Sequence, residues 1–222
     1  MKTQRAIGME FVGSLILALA IVGSGQMAAN LTTDSGLRLF INALATGIGL
    51  AFVIRLGVKT SGSHFNPVVT LIMLYLKRIK LKLSLGYILA QITGGITGVA
   101  IANYIFDQSA LAQSATVRSG SNLFVSEVLA TAGLVWIILR FPKRDDLIAI
   151  YAPLWIFGGI LFTSSTAFAN PAMTIARSFT TSITGIANES VLAFITAQLI
   201  GAVIGLAAAA LYITNPKLEA NE

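Results

Sequence analysis

Two Asn-Pro dipeptides are the residues best suited to form a site. Asn66-Pro67 and Asn170-Pro171 each open a short apolar stretch. Asn is a strong N-cap and Pro a favoured first helical residue, so each dipeptide predicts the start of a helix. Free backbone N–H groups and the helix dipole make such a start electropositive, which attracts a solute's oxygen and opposes a cation. The chemistry that this pattern indicates is hydrogen bonding to a solute.

Two carboxylates and the chain's single His accompany these dipeptides. Glu10 and Glu127 interrupt apolar runs, where an ionisable group is costly and therefore suggests a function. They could form a proton relay. We favour a role as hydrogen-bond acceptors that support the short helices predicted to follow the two dipeptides. His64 lies two residues before Asn66. It could be a pH gate, but we favour a hydrogen bond that orders its loop.

The sequence offers no pattern for catalysis or for a cofactor. It has no Cys and one His, which argues against a thiolate or histidine metal site. No nucleophile–base pair and no phosphate-binding loop is present either. We therefore expect neither an enzyme nor a bound cofactor.

The composition predicts a membrane protein. Only 11% of the residues are charged and 55% are hydrophobic, whereas soluble domains are about 25% charged. Two apolar pieces, which follow Asn66 and Asn170, reach only about halfway across a bilayer. The fold class is thus an all-α membrane protein with six transmembrane helices and two re-entrant half-helices. The six segments predicted to span are 6–25, 38–58, 82–106, 122–141, 146–165 and 190–213.

The chain reads as a single domain, 1–222, that contains a repeat. The polar loop 107–121 separates a first repeat, 1–106, from a second, 122–222. Each half has one intramembrane Glu, one Asn-Pro that opens a short apolar stretch, and one A-Q-x-x-G-x-x-x-G pattern. Three spans in each half place the halves in opposite orientations, which puts the site at their interface near the bilayer midplane. The repeated pattern comprises Ala90, Gln91, Gly94 and Gly98, then Ala197, Gln198, Gly201 and Gly205.

The basic residues predict the orientation. With both termini inside, only Arg38, Arg118 and Arg177 lie outside, and 12 of the 15 Lys and Arg residues lie inside. Lys and Arg are enriched in cytoplasmic loops, so we expect cytoplasmic N- and C-termini, in a plasma (inner) membrane. This distribution accounts for the net charge of +6 without a nucleic-acid partner.

The segments SGSHFNPVVT (61–70) and ANPAMTIARS (169–178) resemble the paired NPA boxes of the aquaporin, or major intrinsic protein, family. The resemblance covers nearly the whole chain. It implies a passive channel in the lipid bilayer for water or small neutral solutes, a pore in each protomer, and a homotetramer. A secondary active transporter built on inverted repeats is the alternative. The box residues are Asn66, Pro67, Val68, Asn170, Pro171 and Ala172.

The resemblance also locates a selectivity filter, with one departure. The family typically carries Arg directly after the second box, where this chain has Met173. Arg177 lies about one helical turn further on, from where it could reach back along the pore wall or cap the outer vestibule. The family's spacing places Thr46, Gly158 and Ala167 at the filter as well.

A filter of small residues and one Met implies a pore wider than a strict water filter. Such a pore could admit glycerol, urea, ammonia or neutral metalloid hydroxides. One feature argues against glycerol. Glycerol facilitators typically have Asp after the filter Arg, and here Thr174 follows Met173.

Overall fold

The computed structural model describes residues 2–213, and this part of the chain is helical with no strand. Six of its helices are long and apolar enough to cross a membrane. The short helices α3 and α7 follow Asn66-Pro67 and Asn170-Pro171, and a single 3₁₀ turn, Arg177–Phe179, continues α7. The helices are α1 Lys2–Leu31, α2 Ser35–Gly57, α3 Pro67–Tyr75, α4 Leu81–Ile105, α5 Ser121–Arg140, α6 Asp145–Phe162, α7 Pro171–Ala176 and α8 Asn188–Ile213.

The same order of elements occurs twice. Two long helices, one short helix and a third long helix make up α1–α4 and again α5–α8. Within each half the first and third long helices pack most extensively, because glycines allow their backbones to approach closely. A Cβ at Gly94 would overlap the carbonyl oxygen of Phe11, and one at Gly201 would come 2.5 Å from that of Val128.

The outer faces of the long helices are apolar, and the polar side chains lie inside. Leu85, Leu89, Leu192 and Val203 are among the large side chains that are at least 60% exposed. These faces suit contact with lipid, since no polar group there would lose its hydration.

Some predicted boundaries differ from those observed. Helix α1 begins at Lys2 and continues to Leu31 rather than covering only 6–25, because its polar ends remain helical outside the apolar run. The second half-helix ends near Phe179 instead of Thr181. There the chain reverses, and the Arg177 side chain donates to the backbone carbonyl of Thr184.

Candidate functional site

The two short helices begin next to each other, each capped by its own Asn. The Oδ1 of Asn66 accepts a hydrogen bond from the backbone N–H of Val68 at 2.9 Å. The Oδ1 of Asn170 accepts one from the backbone N–H of Ala172 at 3.0 Å. Pro67 and Pro171 follow as the first helical residues.

The same two Asn side chains join the boxes to each other. The Nδ2 of Asn66 donates to the carbonyl of Ala169, and the Nδ2 of Asn170 donates to the carbonyl of Phe65, each at 2.8 Å. One N–H of each amide is therefore used between the boxes. A side-chain amide carries two N–H groups, and both Asn residues border the cavity described below.

The residues that supply these carbonyls have an unusual backbone conformation. Phe65 and Ala169 have φ of 46° and 47°, in the left-handed region that residues other than Gly seldom adopt. Each immediately precedes the capping Asn. Such strain persists where the surroundings over-determine it, and here two buried carboxylates do so.

Glu10 binds the loop that leads to the first box. Its carboxylate accepts hydrogen bonds from the backbone N–H groups of His64 at 3.0 Å and Phe65 at 2.6 Å. It also accepts from the hydroxyl of Ser61 at 2.6 Å and the amide of Gln91 at 2.8 Å. All four donors act on a carboxylate that has no exposed surface.

Glu127 binds the second loop in the same way. Its carboxylate accepts from the backbone N–H groups of Phe168 at 2.8 Å and Ala169 at 2.9 Å, and from the amide of Gln198 at 2.7 Å. It too is fully buried. Because every contact here is with a loop or with Gln198, the geometry supports the hypothesis that each Glu holds a half-helix in place.

Two Thr residues complete this arrangement, and the sequence interpretation missed them. The hydroxyl of Thr174 donates to the carbonyl of Asn170 at 2.9 Å and accepts from Gln198 at 2.9 Å. Thr70 makes the equivalent contacts with Asn66 and Gln91. A Thr four residues after each box Asn was the available signal.

We predict that Thr174→Val lowers stability without changing the fold. The substitution preserves shape but removes a donor and an acceptor, which costs about 1–3 kcal/mol when the partners stay buried. The measurement is thermal unfolding in detergent. Thr196→Val is the matched control, because Thr196 is exposed and its hydroxyl bonds only to a carbonyl of its own helix. Equal unfolding temperatures for the two variants would contradict the prediction.

His64 lies at the wall of the cavity described below. Its Nδ1 is 3.1 Å from the hydroxyl of Thr70, and its ring meets the ring of Tyr87 edge to face at 5.3 Å between centroids. These contacts fit a side chain that orders its loop. The pH gate stays a hypothesis.

A cavity of about 260 Å³ leads to the paired boxes. One end lies beside Arg78 and Lys143, which follow α3 and α5, and we call this end the basic mouth. Further in, the cavity is bordered by both box Asn residues. Of the five predicted filter residues, it brings together Thr46, Ala167 and Met173; Gly158 and Arg177 are not part of its wall.

Comparison with known proteins agrees with this geometry. The model of the Major intrinsic protein family matches residues 1–164. The chain belongs to the major intrinsic protein family. It is 39% identical over 208 residues to aquaglyceroporin AqpS of Rhizobium meliloti (strain 1021), covering 92% of this chain and 88% of that protein. It is 32% identical to aquaporin TIP1-2 of Zea mays, covering 80% and 73%.

The fold has a counterpart among solved structures. The X-ray structure of the aquaglyceroporin from Plasmodium falciparum aligns with a TM-score of 0.75 over 96% of each chain, at 19% identity. The protein is therefore an integral membrane channel of the major intrinsic protein family for water and small solutes. It is not an enzyme, and these relationships give no support to the transporter alternative.

Gly158, the predicted filter position on α6, does not border the cavity, and its filter role stays a prediction. A Cβ at Gly158 would meet Phe162 at 3.2 Å, whereas a Cβ at Gly159 would meet the Cβ of Ala167 at 3.0 Å. Gly159 therefore packs against Ala167, which is one of the predicted filter residues.

Arg177 is held by Thr184 and Phe168 and is not part of the cavity wall. Its Nε donates to the carbonyl of Thr184 at 2.6 Å, and its guanidinium carbon lies 3.3 Å from the ring centroid of Phe168. The side chain is only 5% exposed. These contacts hold the segment after α7. A reach back along the pore wall and a cap on the outer vestibule both stay predictions for Arg177.

Proposed function

We propose that this channel conducts water and also uncharged solutes of the size of glycerol or urea. One observation carries the proposal. The cavity next to the second box is bordered by Thr46, Ala167 and Met173, and Arg177 is held elsewhere by Thr184 and Phe168. A pore without an Arg at this point has more room and one fewer fixed donor. Ammonia and neutral metalloid hydroxides fall within the same size range.

Two similar proteins favour this choice by what they are called. Both AqpS and the Plasmodium falciparum protein are described as aquaglyceroporins. The Asp expected of a glycerol facilitator is Thr174 here, and its hydroxyl is bonded to Asn170 and Gln198. The Thr174 hydroxyl is thus used within the protein. The absence of Asp at this position therefore removes no free polar group from the wall of the pore.

Passive conduction also follows from the way charge is placed. Glu10 and Glu127 are the carboxylates nearest the boxes, and each accepts at least three hydrogen bonds. Ion-coupled transporters use ionisable groups near the midplane site, whereas these two are committed to the loops. Solute flux should therefore be insensitive to a protonophore.

The membrane arrangement is part of the proposal. The charge bias supports a cytoplasmic location for both termini and for the basic mouth, with 1–106 and 122–222 as inverted repeats joined by 107–121. The membrane would be the plasma (inner) membrane. The exposed apolar helix faces could pack in a homotetramer as well as against lipid.

We predict rapid flux of water and of glycerol in reconstituted liposomes. Stopped-flow light scattering would follow vesicle shrinkage under an impermeant osmolyte, and re-swelling under glycerol. Both rates should exceed those of empty vesicles by about tenfold, equivalent to about 1.4 kcal/mol of barrier. The Asn66→Asp/Asn170→Asp double variant, folded and inserted, is the control for the paired boxes, and both rates should fall by about tenfold or more.

Three outcomes distinguish the possibilities. Fast shrinkage without fast re-swelling would mean a water channel, and would contradict the wide pore. Neither flux, from protein shown to be folded and inserted, would overturn the open-channel reading. Glycerol flux that collapses with a protonophore would favour the transporter.

A further inference from the structure

The Met173 side chain is withdrawn from the cavity that it borders. Met173 follows the second box in α7 and is only 1% exposed. It packs in a buried cluster with residues of α1 and α4, including Leu17, Val22 and Val99. The side chain is thus directed toward neighbouring helices rather than across the lumen.

Gly95 of α4 provides the space for this arrangement. A Cβ at position 95 would lie 3.0 Å from the Met173 Cε and 3.2 Å from the Cβ of Ala176. Carbon atoms in good contact are about 3.5–4.0 Å apart. Any side chain at position 95 must therefore displace Met173, α7, or both.

The Met173 side chain is the part that can move. Helix α7 is fixed at its start by Asn170 and Thr174, through bonds to Ala172, Phe65 and Gln198. A Met side chain has three rotatable bonds and fits irregular spaces. Rotation away from position 95 takes its methyl group toward the cavity, where Thr46 and Ala167 form the rest of the wall.

We propose that Gly95 sets the width of the pore beside the second box, because it keeps the Met173 methyl group out of the lumen. Gly95 is then a positioning residue for solute selectivity that never touches the solute. The proposal rests on the proposed function in one respect, which is that solutes pass between Met173 and Thr46.

The test compares Gly95→Ala and Gly95→Val in liposomes. Ala requires a shift of a few tenths of an ångström, and Val requires more, so the effect should be graded. We expect glycerol permeability to fall about threefold with Ala and about tenfold or more with Val, and water permeability to fall less. A merely destabilised channel would lose both permeabilities in proportion.

Rescue by a second substitution isolates the role of Met173. Gly95→Val/Met173→Ala removes the displaced side chain and should restore glycerol permeability to at least the wild-type value. The matched control is Gly86→Ala in the same helix, where the new Cβ would lie 2.9 Å from the Ile7 Cδ1, a side chain away from the cavity. Its two permeabilities should equal those of the wild type.

The outcomes separate this inference from the proposed function. An unchanged glycerol-to-water ratio in folded Gly95→Val, or no rescue by Met173→Ala, would overturn the role of Gly95. If Gly95→Val does not fold, Gly95→Ala with and without Met173→Ala decides in the same way. If the wild type conducts water alone, the proposal of a wide pore is wrong. The graded loss with Gly95→Ala and Gly95→Val, and the rescue by Met173→Ala, are then measured as water permeability.

Discussion

Glu127→Gln is expected to lower the free energy of unfolding by about 3 kcal/mol, with loss of solute flux from much of the protein. The carboxylate accepts from two backbone N–H groups and from Gln198. The substituted side chain keeps one oxygen, so its new NH₂ group must face a donor. Hydrogen bonds to a buried charge contribute about 1.5–3 kcal/mol each, and stranded donors add to the loss.

The same reasoning applies to Glu10, which accepts four hydrogen bonds. Glu10→Gln should be at least as destabilising, because one more donor depends on the carboxylate. The measurements are the unfolding temperature in detergent and the fraction of protein that remains monodisperse after heating. At about 2–4 °C per kcal/mol for chains of this length, each variant should unfold about 10 °C earlier.

Glu189→Gln is the matched control, because Glu189 is exposed at the start of α8. It should unfold at the wild-type temperature. The proton-relay interpretation predicts the opposite result. Glu127→Gln would then keep the wild-type unfolding temperature but lose a proton-dependent flux. A stable Glu127→Gln variant of that kind would show that the carboxylate transfers protons rather than holding the loop.

Much of the fold could be predicted because membrane constraints act on local sequence. A span must be long and apolar, and an Asn-Pro pair both caps and begins a helix, so the six spans and two half-helices follow from short segments. The sequence also predicted that Glu10 and Glu127 accept hydrogen bonds that support the half-helices. A buried carboxylate needs donors, and the repeat supplied one loop for each Glu.

The details of the site depend on how distant segments meet, which local pattern does not encode. The bonds that join Asn66 to Ala169 and Asn170 to Phe65 span more than 100 residues. The orientation of Arg177 is set by Thr184, in a loop without a recognisable motif. The role of Gly95 depends on which rotamer Met173 adopts.

Asn66→Asp is expected to convert the midplane from a barrier to cations into a site that attracts them. Asp is as good an N-cap as Asn, so the bond from the Val68 N–H should persist and α3 should still form. The Nδ2 donor to Ala169 is lost, however, and a carboxylate oxygen faces the Ala169 carbonyl in its place. Repulsion between these oxygens opens the contact between the boxes.

The negative charge also opposes the field of the two helix starts, which carry about half a positive charge each. We expect a cation conductance in planar bilayers that is absent from the wild type, and water permeability reduced by about tenfold. Asn30→Asp, at an exposed position of α1, adds the same charge outside the site and should conduct no cations. A folded Asn66→Asp channel with wild-type selectivity would show that the amide is dispensable.

The second box supplies an internal test of this explanation. Asn170→Asp would keep the cap on Ala172 and lose the donor to Phe65, which is the mirror image of the first substitution. If the reciprocal bonds and the paired helix starts act as one unit, the two variants should gain similar cation conductance. The double variant should then lose less than the sum of the two single losses in stability, since either substitution already opens the shared contact. Additive losses would mean that each Asn acts only on its own half-helix.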